Sequence, residues 1–392
     1  MTLRQFLFWC HLTAGALAGA VIAIMSVTGA LLAYERQIVA WADARHYPAV
    51  PPSASAPRLP LEGILANLDQ AEPRAPFTNV TVRADPAAPI AVQSGQRTIY
   101  IDPYTGRVMG EGSARLRRFF RAVTDWHRTL AFAGEQRSIG RAITGACNLA
   151  FLFIIASGIF LWWPRTWTRR QVKAVTLFNG GLRGKARDFN WHNVIGFWSA
   201  IPLFVIVLGS VVISYPWASD LAYRIVGEAP PARPAAPSGG ANASSRRPNA
   251  EATAGIDAVW ARAEQQVPGW RSISFRLPSS AESPVVFAID EGTGGQPQKR
   301  GTLTLGRPGA EIVKWEPFAS LSAGRQLRSW LRFAHTGEFY GLVGQTVAGL
   351  ASLGATFLMY TGFALALRRF LAWRLRVWNG GRAAVVAARR SA

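Results

Sequence analysis

Sulfur is almost missing from this chain, which has two cysteines and four methionines in 392 residues. Cys10 and Cys147 cannot supply a C-x-x-C-H haem attachment, an iron–sulfur cluster or a thiolate zinc site. Standing in separate apolar stretches, they are not read as a disulfide. Charge is sparse as well: Asp, Glu, Lys and Arg make up 17% of the chain, against about a quarter in soluble domains. Acids are the scarcer sign, 22 against 43 bases, which leaves a net charge of +21. No glycine-rich dinucleotide turn, phosphate loop or nucleophile elbow is present, so nicotinamide, nucleotide and hydrolase sites of the common kinds are excluded. The basic excess alone suggests nucleic acid, and its placement argues otherwise.

What is plentiful is apolar. Hydrophobic residues make up 49% of the chain, and its 15 tryptophans suit membrane–water interfaces. Four stretches, 6–34, 139–163, 191–215 and 342–367, are long and apolar enough to cross a bilayer, which takes about 20 helical residues. The first is read as an uncleaved span, because its apolar run outlasts the about 7–15 residues of a signal-peptide core and no small-residue cleavage site follows. Bases gather between the second and third spans, as Arg165, Arg169, Arg170, Lys173, Arg183, Lys185 and Arg187, with Asp188 the lone acid. They gather again after the fourth span, from Arg368 to Arg390, with no acid. The two long connections, 35–138 and 215–338, are nearly balanced in sign. The positive-inside rule therefore expects both termini and the short loop in the cytoplasm. The charge is a topology signal, and no nucleic acid is expected.

The expected division is a span in 1–35, an outer module over 36–138, a span over 139–163 and an inner loop over 164–190. A span over 191–215, a second outer module over 216–341, a span over 342–367 and a basic tail over 368–392 complete it. In the first module, 61–68 has the spacing of a short amphipathic helix, and 80–82, 90–92 and 98–101 read as strands. Asp102-Pro103-Tyr104-Thr105-Gly106 reads as a turn. The second module repeats the plan, with a helix over 256–266 and strands at 273–276, 285–289 and 302–305. Residues 48–60 and 229–255 are linkers by composition, and 116–121, basic and aromatic, reads as an interfacial helix. The fold class is an integral membrane α-helical protein, with four transmembrane helices in two repeated halves and two periplasmic α+β modules.

Small residues carry the repeat. Gly140, Gly145 and Gly158 have the same spacing as Gly344, Gly349 and Gly362, so Ser157-Gly158 matches Thr361-Gly362. His11 precedes Thr28-Gly29, and His192 precedes Gly209-Ser210, by the same interval. The match makes His11 and His192 equivalents near the cytoplasmic face, and His127 and His335 equivalents at the outer face. An ionisable residue in or beside a span is costly and is a functional candidate by default. Two imidazoles at one depth on different helices can clamp one haem iron from opposite sides. Two such pairs give one haem near each face, the layout that electron transfer across a membrane needs. The bland reading is four interfacial anchors, and zinc is a rival that lacks nearby carboxylate or thiolate ligands. Arg128, beside His127, fits a haem propionate or an ordinary interfacial arginine. His46 has no counterpart and is expected on the outer surface.

The chain resembles the PepSY-associated transmembrane family of iron-regulated bacterial inner-membrane proteins. The resemblance rests on His11-Leu12 followed by Thr28-Gly29, the turn from Tyr100 to Gly106, and Trp162-Trp163-Pro164-Arg165. It also rests on His335-Thr336-Gly337 with Gly341-Leu342-Val343-Gly344-Gln345. It implies four spans, periplasmic PepSY-like modules and haem b with reduction of ferric siderophores; the residue reading supplies His11, His192, His127 and His335 as axial ligands of two b haems. The second module departs from the pattern, since Ile289-Asp290-Glu291-Gly292-Thr293-Gly294 lacks the proline turn. Some relatives are fused to a flavoprotein reductase and these residues hold none, so the cytoplasmic or membrane electron donor is expected to be a separate molecule. Two other readings stay open: a siderophore permease, and a non-enzymatic PepSY binding or protease-modulating membrane protein.

Overall fold

The computed structural model describes the chain except residues 54–55, 74, 165, 167, 233–249, 308 and 391–392; the side chains of 250–251 and 378–390 are also left aside. Arg165 and most of the expected 229–255 linker therefore lie outside the described residues. Among the described residues, four long apolar helices are candidate membrane spans. They are α1 (Leu3–Leu32), α5 (Arg137–Trp162), α7 (Gly184–Ser214) and α12 (Gly341–Arg390), numbered with the shorter helices introduced below. All four start before the apolar stretches, and α12 also ends well beyond its own, since a helix continues past a bilayer wherever its backbone bonds are satisfied. Only hydropathy stops at the membrane, so the tail expected after 367 is the end of α12.

The four helices pack in a ring, α1 on α5, α5 on α7, α7 on α12 and α12 on α1. Their shared core includes Ile22, Phe151, Leu203, Ala355 and Leu358, all buried. Successive helices run in opposite directions, so both termini and the α5–α7 connection lie at one end, called here the terminal end. Arg4 of α1 donates to the Leu161 carbonyl at 2.5 Å, placing a cation on the C-terminus of α5. Asp188, 1% exposed, is held by Arg187 at 2.9 Å and by Arg368 of α12 at 2.8 Å. The expected loop acid is thus a buried clamp between α7 and α12. Within the α5–α7 connection lies α6 (Arg169–Thr176).

At the opposite end, the sheet end, α1 turns into α2 (Glu35–His46), which periodicity did not reveal. The chain then builds α3 (Leu61–Ala71), β1 (Phe77–Arg83), β2 (Ile90–Ser94), β3 (Arg97–Ile101) and β4 (Val108–Gly110). After α7 come α8 (Pro216–Ile225), α9 (Ala250–Thr253), α10 (Ile256–Gln266), β5 (Ser272–Arg276), β6 (Val285–Asp290), β7 (Arg300–Leu305) and β8 (Ile312–Pro317). The expected turn forms, with Asp102 Oδ1 accepting from the Tyr104 amide at 2.8 Å and Gly106 at φ +70°. The short strands β4 and β8 and the helix α8 had escaped the sequence reading.

The outer segments meet in one sheet rather than standing as separate modules. All eight strands form a single open antiparallel sheet, ordered β4-β3-β2-β1-β5-β6-β7-β8. The seam is the β1–β5 ladder, which pairs Val80 with Phe275 and Val82 with Ile273. One core runs beneath it, with Ile64 and Leu68 of α3, Val259 of α10, Val80, Phe275 and Phe287 almost fully buried. The two helices also cap each other: Asp257 Oδ1 accepts from the Leu61 amide at 2.6 Å, and Glu62 accepts from the Asp257 amide at 3.5 Å. Sequence pattern shows which residues face a core, whereas which two edges pair is a tertiary choice.

Candidate cofactor site

Two further helices carry histidines to the bundle. The basic, aromatic stretch expected at 116–121 belongs to α4 (Ala114–Thr129), which packs on α1 and α5 and bears His127. Its counterpart, α11 (Ala323–His335), packs on α7 and ends on His335. The corner after α4 is tight. Leu130 and Ala131 both have positive φ, a costly state for residues with a Cβ. The corner is held by Thr129, whose hydroxyl bonds the carbonyls of Asp125 and Phe132. Asp43 of α2 anchors the start of α4: it accepts from the Ser113 amide at 2.8 Å and the Tyr100 hydroxyl at 2.7 Å, and pairs with Arg117. The sheet, α2 and α4 are therefore joined around one buried carboxylate.

The structure brings the four histidines together as two pairs. At the sheet end the rings of His127 and His335 are 6.2 Å apart between centroids, tilted by 46°. At the terminal end stand His11 of α1 and His192 of α7, carried by two helices that face each other across the ring. His11 and Thr28, which contacts His127, are both on α1 and 17 residues apart. At 1.5 Å per residue that is roughly 25 Å along the helix, close to the ~30 Å hydrocarbon thickness of a bilayer. The pairs thus occupy opposite ends of the bundle.

Three of the four imidazoles rest on a Ser/Thr-Gly seat in another helix. His11 Nδ1 is 2.9 Å from Ser157 Oγ, with Gly158 beneath the ring. His192 Nδ1 is 2.9 Å from Thr361 Oγ1, with Gly362 beneath it. His127 Nδ1 is 3.0 Å from Thr28 Oγ1, over Gly29. The fourth departs from this pattern, since His335 Nδ1 donates at 2.8 Å to the Ile206 carbonyl and the helix closes on Gly209. The repeated Ser/Thr-Gly spacing was visible in sequence, but not its use. A glycine in a membrane helix is as readily explained by close helix packing.

The sheet-end pair opens on a cavity of about 500 Å³, within the size range of cofactor pockets. Its walls include Ile22, Phe151, Leu203 and Val207, and Arg128 and Arg332 join the lining. Arg36 pairs with Glu338 at 2.8 Å, and both also line it. Desolvation, aided by the neighbouring His335, pushes His127 down to about 4, and desolvation also lowers His335. Both are therefore neutral imidazoles at pH 7, the state a metal ligand requires.

These features fit a b-type haem. A metal–imidazole bond of roughly 2 Å on each side puts two opposed ring centres roughly 6 Å apart, as at His127 and His335. The apolar walls suit a porphyrin, and the two arginines suit its propionates. Among the described residues no three of His, Cys, Asp or Glu gather around one point, so each site offers two imidazoles as its donors. His46 lies apart, exposed at the end of α2 and bonded to the Ala42 carbonyl.

The profile of the PepSY-associated TM region matches residues 8–369. The chain belongs to that family. Among curated proteins, none matches it. Among the described residues of this PepSY-associated TM protein, the family match takes in α5, α7, most of α1, the apolar part of α12, the eight strands and His11, His127, His192 and His335.

Proposed function

We propose that this protein is a di-haem b electron carrier of the bacterial inner membrane that reduces ferric siderophores on the periplasmic side. The observation that carries the reading is the placement of two histidine pairs at opposite ends of one bundle. His11 and His192 would hold the haem nearer the terminal end, and His127 and His335 the one below the sheet. A haem held there supplies a reversible one-electron couple, which is the chemistry that converts siderophore-bound Fe(III) to Fe(II). Hard oxygen chelators hold Fe(II) far less tightly, so reduction releases the metal.

The chain's own residues account for position and exclusion. Ser157, Thr361, Thr28 and the Ile206 carbonyl orient the four rings. Phe151, Leu203 and Leu358 keep water from the bundle interior between the pairs. Arg128 and Arg332 place positive charge beside the sheet-end pair, where an anionic ferric chelate would approach. The basic connection and tail support a cytoplasmic terminal end, where a separate donor would deliver electrons. The eight-stranded sheet is read as two PepSY-like modules joined at β1 and β5, and the matching glycines as the trace of a duplication.

Proteoliposomes with a trapped reductant and an external ferric siderophore test the reading. Wild type should generate Fe(II) outside, seen with a ferrous-specific dye, and His335→Ala should not. Equal rates in empty liposomes, or siderophore uptake without any reductant, would overturn it.

A further inference from the structure

The hydroxyls beneath the histidines have their protons already committed. Ser157 Oγ donates to the Phe153 carbonyl at 2.7 Å, Thr28 Oγ1 to that of Ile24 at 2.7 Å, and Thr361 Oγ1 to that of Phe357 at 2.9 Å. A hydroxyl has one proton and two lone pairs. Once that proton is given to the helix backbone, the oxygen can only accept from the neighbouring ring nitrogen. The fourth histidine supplies an independent anchor. His335 Nδ1 faces a carbonyl at 2.8 Å, which cannot donate, so this nitrogen must carry the proton.

We infer that Thr28, Ser157 and Thr361 are positioning residues that hold His127, His11 and His192 in the Nδ1-protonated form and so present an unprotonated Nε2 to the iron. The inference rests on the haem reading above and adds a role for three residues outside the ligand set. A donated Nδ1–H makes the imidazole a stronger electron donor, favours the ferric state, and restricts rotation of the ring. The arrangement is also asymmetric. The terminal-end pair leans on two hydroxyls, and the sheet-end pair on one hydroxyl and one carbonyl.

The test uses full-length protein purified in detergent, with the variants Thr361→Val, Ser157→Ala and Thr28→Val. Each removes the acceptor while nearly keeping the shape. Readouts are haem content, potentiometric titration and the electron paramagnetic resonance of the oxidised haems. Ser157→Ala and Thr361→Val should raise the potential of the terminal-end haem and weaken its binding about tenfold or more, leaving the other haem unmoved. Thr28→Val should do the same at the sheet end. Thr361→Ser and Thr28→Ser, which restore a hydroxyl, should recover wild-type values. The unmoved haem in each variant reports that the bundle is intact. Wild type with two haems and hydroxyl-free variants with unchanged potentials and resonance would overturn this inference alone. Wild type without haem would overturn the reading beneath it as well.

Discussion

Replacing Gly209 by alanine should release the sheet-end haem and spare the other. A Cβ at this position would overlap the main-chain carbonyl of Leu331 and lie 3.0 Å from the Cβ of His335, where ordinary contact begins at 3.4 Å. Neither atom is the free end of a flexible side chain, so α11 itself must retreat from α7. In a close-packed interior such an overlap is passed on as a shift on the order of 1 Å. Metal ligands tolerate about 0.5 Å. Overpacking of this kind costs about 1–3 kcal/mol, or roughly 5–150-fold in haem affinity at that end. Gly362→Ala is the matched control, because its Cβ would meet His192 Cε1 at 3.6 Å, an ordinary contact. Haem-to-protein ratios and redox titration of the two variants decide the matter. Gly209→Ala should keep only the terminal-end component, and Gly362→Ala should keep both. Two undisturbed haems in Gly209→Ala, or loss of one in Gly362→Ala, would refute the steric argument.

The pairing makes a second prediction. His127→Ala and His335→Ala should each abolish the same redox component, with no further loss in the double variant, while His11→Ala with His335→Ala should strip both. Phe275→Ala should cost about 3–5 kcal/mol, the usual cost of emptying a buried phenylalanine. Because that ring lies in the core shared by β1 and β5, limited proteolysis should then cut both halves of the sheet together. If only β5–β8 becomes sensitive, the seam is not a cooperative unit. Reporter fusions after Arg369 and between Thr168 and Lys185 should register cytoplasm, and one after Gly95, in the β2–β3 turn, should register periplasm. A periplasmic C-terminus would reverse the whole assignment.

Much of this architecture could be read from residue order, for identifiable reasons. The spans stood out because a bilayer demands about 20 apolar residues whatever they pack against. The helix at 256–266 has a helical period of buried residues, and strands such as β7 alternate strongly enough to mark their cores. His127 and His335 were read at one depth, since matched glycines in matched spans fix position along the helix axis, and their rings stand 6.2 Å apart. Rotation around that axis is not encoded in spacing. The sequence therefore did not reveal that His127 leans on Thr28 of α1 rather than on its own neighbour α5, or that His335 uses a carbonyl. Asp188 looked like a loop acid because its burial depends on Arg368, 180 residues away. The union of two sheets at β1 and β5 was equally hidden, because a half-buried strand carries the same alternation whether its edge is free or paired.

Haem content of the purified protein tests the central claim most directly. An optical spectrum of the full chain in detergent, combined with a pyridine haemochrome assay, gives both ligation and stoichiometry. The account predicts two non-covalent, low-spin b haems per chain, extractable with acid acetone. A ratio of one haem, a high-spin spectrum at both sites, or no Soret band would contradict it.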